Sequence, residues 1–184
     1  MGEPEARSLR RAPVSAKDVA RFEAAFEQHH RAVTAYALRR TSSEADAEDA
    51  VAETFAVAWR RADRLPEPDV ALPWLLATAR RVLANQHRGA SRRFRLGVRL
   101  GAQPREVPAI HAVDTPALEA LARMRRDDQE LLRLLVWDGL NQAETGEVLG
   151  ISANAVGIRL SRARKRFAVE LAHVKGLDRN RTSS

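Results

Sequence analysis

Apolar residues recur along this chain at helical, not alternating, spacing. From Asp18 onward, Val19, Phe22, Phe26, Val33, Tyr36 and Ala37 fall on one face of a helix. Thr41-Ser42-Ser43 interrupts that period and offers an N-cap, with Asp46 three residues after Ser43. A second helix then runs to about Ala62, with Ala47, Val51, Phe55, Ala58 and Ala62 turned inward. Residues 63–73 contain Pro66, Pro68 and Pro73 and predict a loop. A third helix starts near Leu72 and reaches the upper eighties, with Leu75, Leu76, Ala79 and Leu83 on its core face. Across 89–116 glycines and prolines replace large apolar residues, so this stretch reads as a linker, with a short helix at its start. Periodicity resumes at Ala117–Met124. Asp127 with Glu130 reads as a capping box opening a helix over Gln129–Trp137, which Asp138-Gly139 ends. No segment reads as a strand. The predicted fold is all-α: two small helical domains joined by a flexible linker. The expected divisions are a disordered tail at 1–17, a domain at 18–90, a linker at 91–116, a second domain at 117–173 and a frayed tail at 174–184.

Within the second domain, residues 142–167 have the spacing of a helix-turn-helix. Gly150 makes a tight turn between Leu149 and Ile151, and Gly146 lets two helices cross closely. Val156, Leu160, Ala163 and Phe167 repeat on the inner face of the second helix of the pair. Its other positions, from Arg159 to Arg166, carry four arginines and one lysine with no acid. A basic helix of this kind suits a DNA major groove. Asn154 and Arg159 are the candidates for base edges, and Arg162, Arg164, Lys165 and Arg166 for phosphates.

Charge sharpens that reading. The formal net charge is +7, which favours partners bearing phosphates or an acidic surface. Of 31 basic residues only Lys17, Lys165 and Lys175 are lysine, a skew that GC-rich coding explains in large part. The signs are segregated along the chain. Glu44, Asp46, Glu48, Asp49 and Glu53 crowd the first part of the second helix, which suits the helix dipole and also fits a docking face for a basic protein. Acids there would repel DNA. By contrast, Arg80, Arg81, Arg88, Arg92, Arg93, Arg95 and Arg99 occur with no acid from 80 to 99. The phosphate backbone is their natural partner, or else they form a solvated face. Asn85, Gln86 and His87 on the same helix can reach base edges.

Other classes fall away. The chain has no cysteine, so disulfides and thiolate metal sites are excluded. The five histidines lack metal-ligand spacing, and neither a nucleophile–base pair nor a glycine-rich phosphate loop is visible. The expectation is a protein that is not an enzyme, with no cofactor and no metal. Trp74 and Trp137 read as core. There is neither a signal peptide nor an apolar run of membrane-spanning length, so a cytoplasmic location is expected.

These residues together resemble a bacterial RNA polymerase sigma factor of the small, extracytoplasmic-function (ECF) group of the sigma-70 family. The resemblance runs from about residue 18 to 171, omitting the linker. DAEDAVAETFAVAW (Asp46–Trp59) looks like the family's core-polymerase-binding helix. PWLLATARRVLANQHR (Pro73–Arg88) is similar to its −10 recognition helix, and the helix-turn-helix to its −35-reading domain. The resemblance implies that Asp46, Glu48, Asp49, Glu53 and Phe55 bind the clamp helices of the polymerase's largest subunit. Arg80, Arg81, Asn85, His87, Arg88, Arg92 and Arg93 would serve the −10 region, where the third helix and the loop at 63–72 would capture unstacked bases. Asn154, Arg159, Arg162, Arg164, Lys165 and Arg166 would serve the −35 region, with the second domain also meeting the polymerase flap. The two domains, when free, could fold together, and an anti-sigma protein could hold them so.

The chain departs from the family pattern at three places, the least consequential being Met124-Arg125 where Leu-Pro is usual. Arg81 and Asn85 stand where Asn and Asp are usual, which bears on the identity of the captured base. Asn154-Ala155-Val156-Gly157-Ile158 replaces the common Gly-Thr-Val-Lys-Ser, so the −35 contact is expected to lean on Arg159 and Arg162. Two alternatives remain at this level: a dimeric helix-turn-helix regulator of an operator, and a helical protein that sequesters a partner. The acidic helix argues against the first, which has no need of it.

Overall fold

Helices account for almost all of the backbone, and their ends follow local chemistry. The computed structural model describes residues 15–99 and 115–182, and among these there is no strand. In the first domain α1 (Ala16–Leu38), α2 (Glu44–Arg60) and α3 (Leu72–Arg99) pack against one another in every pairing. Ser15 and Ser43 cap α1 and α2, each side chain accepting from the backbone N–H three residues on. Ala47, Ala50 and Ala58 are almost wholly buried in α2, and their small size lets the three helices approach closely. Leu75, Leu76, Ala79 and Leu83 of α3 complete the core as their spacing predicted. Between α2 and α3 lie two single 3₁₀ turns, Ala62–Arg64 and Pro68–Val70, with Pro66 between them and Pro68 opening the second.

α3 continues to Arg99, beyond its predicted end and into the stretch read as linker. Arginine is a good helix former, and no proline intervenes from Pro73 until Pro104. The predicted N-terminal tail falls almost entirely outside the described residues, as does most of the remaining linker. The C-terminal tail does not fray where expected, because α7 continues through it to Thr182.

The second domain comprises α4 (Pro116–Arg123), α5 (Arg126–Val136), α6 (Gln142–Leu149) and α7 (Ala153–Thr182). Leu121, Met124, Leu131, Val156, Leu160 and Ala163 form its buried cluster. Here one expectation fails. α5 begins at Arg126 with no side-chain cap, so Asp127 and Glu130 do not form a capping box. Glu130 instead accepts hydrogen bonds from the first domain, at 2.9 Å from Tyr36 Oη and 2.8 Å from Arg40 Nε. A buried guanidinium is a stronger partner for a carboxylate than a solvated amide at a helix end.

The two domains pack together. Leu134, Leu140 and Val148 of the second domain are buried in the same cluster as the first domain's core, and α6 lies against α3. Arg40 also pairs with Asp138 at 2.8 Å, and Arg39 contacts the other oxygen of that carboxylate.

Candidate polymerase and nucleic-acid interfaces

The acidic face of α2 follows from its period. With Ala47, Ala50, Val51, Thr54, Phe55 and Ala58 inside, Asp46, Glu48, Asp49 and Glu53 project outward. Glu53 pairs with Arg60 at 2.6 Å, a base beyond the acidic run. Both side chains are half exposed, so that pair adds little stability and leaves the face open to a competing cation. Phe55 requires correction as a direct contact: it is buried, packed edge-on against Phe26 at 4.7 Å and stacked on His30 at 5.7 Å. The aromatic groups open to a partner are Trp59, 41% exposed, and Phe26, 38% exposed. The spacing of Phe26 fits the apolar face of α1 and predicts a core position. The ring lies at the edge of that face.

α3 presents the basic surface. Arg80, Arg81, Asn85, His87 and Arg88 are all exposed. Arg92 and Arg93 are carried on the same helix, but their side chains lie outside the described residues. Arg88 donates to Asn85 Oδ1, which leaves the Asn85 amide N–H groups for another acceptor. A cleft of roughly 290 Å³ between α2 and α3 gathers Arg81, Asn85 and Gln86 with Arg61, Thr78 and Glu53 over apolar walls from Val57 and Val82. Apolar walls with a few convergent donors suit a ligand that has an apolar face and polar edges. The neighbouring loop is tied down by α1, through Arg21 Nη1 to Leu65 O at 2.9 Å and His29 Nε2 to Pro68 O at 2.6 Å. Neither anchor was foreseen, because each partner is a backbone carbonyl about 40 residues away.

The helix-turn-helix is built as its glycines require. Asn141 and Glu144 form a reciprocal capping box at the start of α6. Gly150 ends α6 in the left-handed region at φ 70°. At Gly146 a methyl group would stand 2.6 Å from the carbonyl oxygen of Ile151, so only glycine permits the close approach. Ser152 Oγ accepts from Ala155 N and starts α7. Asn154, Arg159, Arg162 and Lys165 are exposed on it, with Ile158 among them. One of the expected phosphate contacts has a partner within the protein, and another is exposed beside a groove. Arg166 makes two bonds of 2.9 Å to Asp128 and ties α7 to α5. Arg164 lines an apolar groove of roughly 300 Å³ with Leu118, Leu132, Val136, Trp137 and Phe167. Trp137, expected in the core, is 41% exposed at this groove because it follows the last turn of α5.

The family model for sigma-70 region 2 matches residues 25–93, and that for sigma-70 region 4 matches residues 115–167. The ECF RNA polymerase sigma factor SigL of Mycobacterium tuberculosis is 30% identical over 158 residues, covering 79% of this chain and 86% of that protein. The chain belongs to the ECF sigma factors of the sigma-70 family. A probable sigma factor of Xanthomonas campestris, RfaY, is 34% identical over 149 residues, 76% of this chain. The match spans 37% of RfaY's length. In fold, this sigma factor is similar to the sigma factor RpoE solved with the anti-sigma factor NepR from Bartonella quintana. That likeness has a TM-score of 0.64 at 23% identity, covering 82% of this chain and 96% of that one. CnrH, solved with the cytosolic domain of CnrY, is similar at a TM-score of 0.57 and 24% identity, covering 86% of this chain and 99% of that one. In the sigma factor's own terms, α1–α3 carry region 2, and α4–α7 carry region 4.

Proposed function

We propose that this ECF sigma factor docks core RNA polymerase through the exposed face of α2 and reads promoter DNA with α3 and α7. The observation that carries the reading is the segregation of charge by helix. Acids with Trp59 face outward on α2, while the exposed ionisable side chains of α3 are basic. A basic helical partner satisfies the first face, and the DNA backbone satisfies the second. On this reading Asp46, Glu48, Asp49 and Glu53 meet the clamp helices of the polymerase's largest subunit, with Phe55 supporting the surface from beneath.

The α2–α3 cleft and the anchored loop receive bases of the non-template strand. Extruding a base costs a few kcal/mol, and a pocket that holds it stabilises the melted bubble. At the upstream element Asn154 and Arg159 meet base edges, and Arg162 and Lys165 meet phosphates. Arg164, exposed beside them, joins the phosphate contacts, while Arg166 is held by Asp128. The apolar groove beside Trp137 suits the polymerase flap, since Val136 at its rim is 71% exposed. An anti-sigma protein is a further partner, as for the similar RpoE, solved with the anti-sigma factor NepR.

No catalytic chemistry, metal or cofactor enters this reading, and the site of action is the cytoplasm, where polymerase and promoter meet. Among the described residues no helix is long and apolar enough to cross a membrane. The test is run-off transcription with purified core polymerase on promoters selected from genomic DNA. Chain-dependent, promoter-specific transcripts are expected. Failure to bind core, with tight binding to a palindromic duplex alone, would favour the operator-binding regulator instead.

A further inference from the structure

The cleft between α2 and α3 has two walls of different hydrogen-bonding character. α2 contributes Glu53 and Val57, one helical turn apart and so on one face. α3 contributes Arg81, Val82 and Asn85, which share a face in the same way. Val57 and Val82 give each wall an apolar surface. The volume of roughly 290 Å³ lies at the small end of ligand sites, and it takes one base rather than a pair.

Donors and acceptors are sorted between the walls. Arg81 is exposed and presents a planar fork of N–H groups. Asn85 acts in the same sense, because Arg88 occupies its Oδ1 and only the amide N–H groups are left for a ligand. The α3 wall therefore calls for adjacent acceptors. On the α2 wall Glu53 offers a carboxylate. Its pair with Arg60 is half exposed on both sides and yields to a better-placed donor. That wall calls for adjacent donors.

Guanine alone among the four bases meets both demands, with O6 beside N7 and N1–H beside the N2 amino group. Adenine sets a donor next to N7, and in thymine a donor separates the two carbonyls. Cytosine has O2 beside N3, but its single donor group stands on the same edge, so it cannot serve a fork and a carboxylate on separate walls. Asparagine at position 81 would present one donor group and one acceptor and no such bias. Arginine there removes the acceptor.

We propose that this cleft selects guanine in the melted non-template strand. Arg81 is the specificity-determining residue, donating to O6 and N7, and Glu53 accepts from N1–H and the N2 amino group. The inference rests on the assignment of the cleft to base capture and adds the identity of the base.

The test uses the full chain with core polymerase on pre-melted templates whose non-template −10 strand is randomised. The share of each base among retained templates is compared with the input. Glu53 also borders the docking face, and a ratio of bases divides out any general loss of polymerase affinity. One position is expected to favour guanine roughly tenfold. Arg81→Ala should abolish that preference and leave the other positions as they were. Arg81→Lys, which keeps the charge without the fork, should lose it too. At that position 7-deazaguanine, which lacks N7, should be retained less well than guanine by the unmodified chain and equally well by Arg81→Ala. Glu53→Gln should narrow the margin of guanine over inosine, which lacks the N2 amino group. Preference for cytosine or any other base throughout, a guanine preference that survives in Arg81→Ala, or indifference to 7-deazaguanine would overturn the assignment of guanine while leaving the promoter reading in place. Failure of the chain to make core polymerase retain any template would remove the promoter reading, and the inference with it.

Discussion

Gly146 is the residue with the least freedom to change. A methyl group there meets the Ile151 carbonyl at 2.6 Å, a backbone atom that cannot step aside. Gly146→Ala should therefore destabilise the second domain by about 1–3 kcal/mol, read as a lowered urea midpoint with an unchanged slope. Phe55 and Trp59 make an instructive pair. Phe55→Ala should cost about 3–5 kcal/mol of stability, because its ring fills the α1–α2 core. Trp59→Ala, which loses an edge-on contact with Phe22, should cost less stability than Phe55→Ala and weaken core polymerase binding, and equal affinity for both proteins would move the docking face elsewhere. Residues whose role is local were legible from the sequence: Ser43 caps α2, and Gly146 and Gly150 shape the turn, because each acts within a few positions. The partners of Glu130 and Arg166 were not legible, because they lie 90 and 38 residues away. Nothing in local spacing announces such a partner.

At the level of elements, the helices came through from periodicity, and their ends less well. α3 overran its predicted end because the arginines beyond it favour helix as much as they favour phosphate. The inner face of α7 appeared where Val156, Leu160 and Ala163 placed it. Its outer face is narrower than charge alone implied, since Arg166 is held by Asp128. These two arginines should separate experimentally. Arg162→Ala should weaken binding to all duplexes alike and reduce the salt slope by about one. Arg166→Ala should chiefly lower the stability of the second domain, and a matching loss of salt slope would restore it to the phosphate contacts. On α2, reversing Asp49 and Glu53 to lysine should weaken polymerase binding without loss of helix. Unchanged affinity would show that the acids are only a solvated face.

For the whole molecule, the packed domains tie stability to the state of Tyr36. Burial first, then the charge of Glu130, pushes its phenol far above the ordinary tyrosine value, while Arg40 partly opposes the shift. A folded-state pKa raised in this way stabilises fully below the unfolded value of about 10 and is lost as pH rises past it. Stability should hold steady through neutral pH and fall above about pH 10, as urea unfolding measured across that range would check, with Tyr36→Phe flattening the response. The two-domain division was legible from the gap in periodicity, but not the merging of the domains through Leu134, Leu140 and Val148, which the sequence reading left only as something the resemblance allowed. α7 adds a mechanical consequence. It is one unbroken helix, buried at Val156 near its reading end and again at Val174. Twenty residues of helix make a stiff arm of roughly 30 Å. α4, α5 and α6 all pack on this arm, so it moves with its domain as one piece, and a push at Val174 is carried along it to Val156.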